Sequence, residues 1–347
     1  MQLRLVPPLF LVTPAVGALG ALCAESIGWP LPWMVGSMVM VIIVRCSGWG
    51  LRDVPNGRRF GQWLIASVIG MHFSAAVLSE VSSHFLMMLI AALLTLLTAL
   101  IGIALINRSG VDLPTSFFSL MPANSAEMII LGERYQADRA RVAAAHSLRL
   151  VLIVLVIPAA VTWGLGTGTR STPAPADWSW LVIMLPTGFA VAWLWTRIGM
   201  PNGWAFGPML VCAVFTIVFD LHLSLPTWLS KFGQLLLGCS LGSYFDRAFF
   251  RSAPSFLAKV LLITIAAIGV AFGAGWIMSL AVDVGPMSLT LGLMPGSSTE
   301  MSLTAEALGL GVALVTAMQI IRMVVVMLVA ELIYKRWERR IQARRYN

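Results

Sequence analysis

Apolar residues in this chain come in long runs, and polar residues come in short stretches between them. The runs are apolar on every side, which is the pattern of helices bounded by protein or lipid and not by water. The first extends from Pro8 to Trp29, and a second ends near Arg45. A third opens at Phe60, a fourth occupies about Phe85 to Ile106, and a fifth about Ala140 to Trp163. After a polar stretch holding Pro173 and Pro175, the series starts again at about Leu181 to Ile198 and continues to Ala330. The first run has features of a secretory signal peptide. Its counterpart at Leu181 to Ile198 argues instead for a retained part of a repeated unit.

The repetition extends to particular residues. IGWPLPWMVGSM (Ile27 to Met38) pairs with IGMPNGWAFGPM (Ile198 to Met209), and FGQWLIASVIGMHF (Phe60 to Phe73) with FGQLLLGCSLGSYF (Phe232 to Phe245). LMPANSAEMIILGE (Leu120 to Glu133) returns as LMPGSSTEMSLTAE (Leu293 to Glu306). The offsets are 171, 172 and 173 residues, in the same order, which marks an internal duplication. The chain therefore divides into a first transmembrane repeat over 1–165, a linker over 166–177, a second repeat over 178–334 and a basic tail over 335–347.

Composition agrees with the pattern. Of 347 residues 59% are hydrophobic and 11% charged, against about 25% charged in soluble domains. This predicts an all-α polytopic membrane protein. The formal charge of +8 sits in short loops and in the tail KRWERRIQARR. Basic residues there act as topology determinants, so nucleic acid is not an expected partner. Four cysteines without CxxC spacing read as small core residues, and four scattered histidines offer no metal cluster. No cofactor is expected. The absence of a GxxxxGK[ST] motif argues against ATP-driven transport by this chain alone.

Loop charges predict how the halves are oriented. Between the second and third runs lie Arg52, Arg58 and Arg59, while the next loop has Glu80 and His84. In the second half the bias reverses: 220–231 is poor in positive charge, and 246–259 carries Arg247, Arg251 and Lys259. Equivalent loops of opposite bias belong on opposite sides of the membrane. The expectation is two inverted repeats of about five helices each, plus a broken or re-entrant segment. That makes ten full spans, with both termini cytoplasmic.

The candidate chemistry lies in the duplicated break. Asn124 stands three residues before Glu127, and Ser297 three before Glu300, which is the spacing of a capping box. The two glutamates read either as helix caps or as parts of a discontinuous-helix site with Ser125, Ser298 and Thr299. Glu300, beside Ser298 and Thr299, is the more polar of the two. Each break leads into an apolar helix with one arginine, Arg149 or Arg322, about 16 Å along it at 1.5 Å per residue. A charge at that depth costs about 2.5–3.5 kcal/mol and must be paired or solvated. His146 and Gln319, three residues earlier, share its helix face. The arginines read as counter-ions of Glu127 and Glu300, as substrate contacts, or as side chains snorkelling to an interface.

This order of a Pro and small-residue break, Met, acidic residues, and Gln or His before Arg resembles the AbrB membrane-protein family over nearly the whole chain. Pro122-Ala123-Asn124 and Pro295-Gly296-Ser297 stand where that family typically has Pro-Gly-Gly. The resemblance implies a multi-pass protein of the bacterial inner membrane with tandem halves, labelled a regulator of gene expression or ammonia-monooxygenase-like. A copper oxygenase needs clustered histidines, which His72, His84, His146 and His222 do not provide. The functional expectation is a non-enzymatic secondary transporter or channel for a small, anionic solute, with its site at the repeat interface. The alternative is a membrane-embedded sensor acting on gene expression indirectly. Expected partners are the lipid bilayer and the solute, with a homo-oligomer compatible.

Overall fold

The computed structural model describes residues 9–164 and 176–346. Most of the linker assigned to 166–177 therefore lies outside the described residues. Helices α1 (Leu9–Ser26), α2 (Pro32–Cys46), α3 (Gly57–Met71), α4 (Ala75–Ser83), α5 (Phe85–Arg108), α6 (Leu113–Leu120), α7 (Ser125–Arg134) and α8 (Arg139–Gly164) make one series. Helices α9 (Trp178–Arg197), α10 (Gly203–Phe219), α11 (Thr227–Gly242), α12 (Arg247–Ser252), α13 (Pro254–Ser279), α14 (Pro286–Leu293), α15 (Ser298–Ala307) and α16 (Val312–Tyr346) repeat it in order. The described residues contain no strand. The protein is an all-α polytopic membrane protein.

Five helices, α5, α8, α9, α13 and α16, are long and apolar enough to cross a bilayer; α1, α2 and α10 are apolar but shorter. A 15-residue helix such as α2 is about 22 Å long, short of the ~30 Å hydrocarbon core. The third run also differs from expectation. It ends at Met71, and α4 leaves α3 at 87°. His72 Nδ1 bonds to the Val68 carbonyl at 2.9 Å, and Ser74 Oγ accepts from the Val77 N–H at 3.2 Å. The first bond closes α3 and the second opens α4, so the polar stretch around Glu80 is helical and not a bare loop.

The chain forms two compact units, and each draws on both series. Unit 1 comprises 1–79, 154–252 and 302–313, and so holds α1 to α3 and α9 to α11. Within it α2 packs on α1 and α11, while α3 packs on α10 and α11. Small residues allow these approaches, as expected where helices must associate without a water-driven force. A Cβ at Gly20 would collide with the Gly36 carbonyl, and one at Gly238 with the Met34 carbonyl and Ser37 Oγ. Arg45 ties the same unit at one end, donating to the Phe245 carbonyl at 3.1 Å and lying 3.6 Å from Asp246.

Unit 2 comprises 80–153, 253–301 and 314–347. It contains α5, α6 and α7, the first part of α8, α13, α14, the start of α15 and most of α16. Both breaks and both arginine-bearing helix segments belong to it.

Candidate functional site

The first break is the turn of a helical hairpin formed by α6 and α7. Asp112 caps α6 by accepting from the Thr115 N–H at 2.9 Å, with Pro114 in the first turn. The chain turns back over Met121 to Asn124, and α7 returns beside α6. Thr115 Oγ1 accepts from the Asp138 N–H at 2.9 Å, and the rings of Phe118 and Tyr135 stack at 5.8 Å. Gly132 lets the two helices close, since a Cβ there would already touch Phe118 at 3.4 Å. The base is held to α16 by Tyr135, whose hydroxyl donates to Glu331 at 2.8 Å, and by the buried ring of Tyr334 against Phe117 and Phe118.

A half-helix ending inside the membrane leaves carbonyls that no water can satisfy. Side chains from the following long helix take that role. His146 bonds through Nε2 to the Phe118 carbonyl at 2.9 Å, and Arg149 donates from Nη1 to the Leu120 carbonyl at 3.2 Å. Arg149 Nη2 lies 2.9 Å from His146 Nδ1. In the second copy Gln319 Nε2 donates to the carbonyls of Leu291, Gly292 and Met294 at 2.8, 3.3 and 3.2 Å. Arg322 donates to the carbonyls of Met294 and Gly296, the latter at 2.7 Å. Both arginines are at least 95% buried. Cations at the carbonyl end of a half-helix also complement its dipole.

The guanidinium contacts of Arg149 and Arg322 given above run to backbone carbonyls and to His146, and Glu127 is not the counter-ion of Arg149, since neither of its oxygens has a hydrogen-bond partner. The capping box is half formed. Asn124 accepts from the Ala126 N–H at 3.2 Å, yet neither buried oxygen of Glu127 has a hydrogen-bond partner. Glu127 instead places its carboxyl in the first turn of α7, at the positive end of the dipole. Ser125 is half-buried beside it. In the second copy Ser297 and Ser298 are half-buried at the start of α15, while Thr299 and Glu300 are buried.

The breaks meet around a cavity of about 40 Å³ whose lining includes Leu120 and Pro122 from one and Leu293 and Pro295 from the other. Arg149 is the one charged residue in its wall. The remaining polar contributors are Thr95, Thr98 and Thr264, which the sequence alone did not single out. Their only signal is hydroxyls inside apolar runs, and such hydroxyls usually bond to their own helix, as Thr98 does to Leu94 at 2.9 Å. Thr95 does this and also reaches the Leu293 carbonyl at 3.4 Å, joining α5 to the second break. The Nε of each arginine has no hydrogen-bond partner. No group of three or more metal-ligating side chains occurs among the described residues.

A family model described as Transition state regulatory protein AbrB matches residues 33–338. The chain belongs to the AbrB family. A Bacillus subtilis (strain 168) relative named Uncharacterized protein YhjN is 23% identical over 343 residues, covering 90% of this chain and 88% of the relative. An Escherichia coli (strain K12) relative named Putative regulator AbrB is 22% identical over 305 residues, covering 86% of this chain and 88% of the relative. Membership therefore rests on nearly the full length, including both breaks.

Proposed function

We propose that this AbrB-family protein is a secondary transporter or channel for a small anionic solute, with the site in unit 2 where the two breaks meet. The observation that carries this reading is the cavity lined at once by Pro122, Pro295 and Arg149. Non-helical backbone at membrane depth is tolerated where it is buried or lines a cavity, and in transporters it marks the solute path. A buried arginine with spare donors then supplies the anion's counter-charge.

The reading includes inverted halves in a bacterial inner membrane with both termini cytoplasmic, supported by the reversed loop charges around Arg58 and Arg251. It includes a carrier's role and no chemical conversion. The test is thermal stabilisation of the purified protein across a metabolite panel. Anions should raise the melting temperature, and Arg149→Gln should abolish the effect; stabilisation by cations or neutral solutes alone would overturn the reading.

A regulatory reading is favoured by one observation, the printed names of the family model and of the Escherichia coli relative. A sensor binds its solute and does not move it. Flux through proteoliposomes of a solute that stabilises the protein separates the two.

A further inference from the structure

We infer that the solute is a short-chain monocarboxylate, one carboxylate on a small hydrocarbon body. This rests on the anion-transport reading and narrows it. The charge available in the cavity is single, because Arg149 is its only ionic wall residue. Arginine has five N–H donors, and Arg149 uses Nη1 on Leu120 and Nη2 on His146, leaving Nε with no partner. Nη1 and Nη2 each carry a second hydrogen, and a guanidinium with hydrogens to spare binds a carboxylate by charge-assisted bonds.

The rest of the wall gives a second charge nothing to bind. The wall also includes Ile263, Ala267, Val270 and Ala271 of α13 and Leu94 of α5. The threonines add acceptors and no free donors: Thr95, Thr98 and Thr264 each donate to the carbonyl four residues back, at 2.8–2.9 Å. A dicarboxylate or phosphate would set further negative charge against methyl groups and lone pairs. A short alkyl chain instead replaces water along an apolar surface. Size agrees. A 40 Å³ space for water centres holds about three waters, the room of an acid with a few carbons.

The test is equilibrium binding of radiolabelled butyrate to the purified full-length protein by scintillation proximity, with unlabelled competitors. Propionate and butyrate should displace the label, whereas succinate and phosphate should not. Ala267→Leu, which puts a larger side chain in the cavity wall, should weaken butyrate binding by about tenfold or more with its ligand-free melting temperature unchanged. Displacement by succinate or phosphate as effective as that by butyrate would overturn the inference while leaving an anion site standing. Butyrate binding unaltered in Ala267→Leu would overturn it by placing the site elsewhere. Absence of binding by every anion tested would overturn both this inference and the transport reading.

Discussion

His146 Nδ1 lies 2.9 Å from Nη2 of Arg149, so the imidazole accepts on that side and donates from Nε2 to the Phe118 carbonyl. One neutral tautomer satisfies both bonds. The second copy achieves the carbonyl contact with Gln319 and Leu291, each 173 positions later. Glutamine and histidine are thus alternative solutions to one problem, a half-helix end to be closed in the absence of water. His146→Gln should therefore fold with wild-type yield and a melting temperature close to wild type. His146→Leu leaves the Phe118 carbonyl unsatisfied and should cost about 1–3 kcal/mol, read as a lower melting temperature in detergent.

The arginines carry a similar expectation for a changed reason. Arg322→Ala removes the donor of the Gly296 carbonyl and one of those on Met294, which keeps Gln319, and should reduce folded protein in the membrane, measured by monodisperse yield. Arg149→Ala releases the Leu120 carbonyl alone and should be the milder of the two. Equal, wild-type yields from both would show that the carbonyls find other donors.

Glu127 separates structure from transport. Its oxygens cap nothing, so Glu127→Gln should melt as wild type does. Asn124→Ala, which removes the bond to Ala126, should cost about 1 kcal/mol. If a carboxylate couples the solute to protons or cations, Glu127→Gln also loses the pH or ion dependence of flux in proteoliposomes. Flux with unchanged dependence would confine Glu127 to its place at the helix dipole.

Topology can be tested without knowing the solute. Single cysteines at Asn56 and Arg251 should be labelled from the cytoplasmic side, and those at Ser82 and Ser230 from outside. Asn56 and Ser230 labelled from the same side would leave the inverted arrangement untenable.

Close packing in unit 1 predicts a different sensitivity. Gly238→Ala would drive a methyl group into the Met34 carbonyl and Ser37 Oγ. Gly269→Ala meets open space and should be neutral. A drop in melting temperature for the first variant only, in the same detergent, checks this.

The sequence showed the breaks because Pro122 and Pro295 with small residues have a compositional mark, and it showed the arginines because a charge in an apolar run is conspicuous. It did not show their partners. Backbone carbonyls such as those of Leu120 and Met294 carry no residue-type signature, so the nearby carboxylates drew the pairing instead. The turn at His72 and Ser74 leaves no mark in the sequence for a similar cause, since its two bonds are short-range and leave the run apolar. Which helices pack together depends on contacts such as Gly238 with Ser37, separated by about two hundred residues, which no local periodicity encodes.

The division of both helix series between the two units has a consequence for biosynthesis. Neither unit is complete until the second series emerges: α2 lacks α11, and the first break lacks the second. At 5–20 residues per second the first half must wait in the bilayer for roughly ten to thirty seconds, with Arg149 already inserted. His146, Arg149 and the Phe118 and Leu120 carbonyls all belong to the first series, so these bonds need nothing from the second.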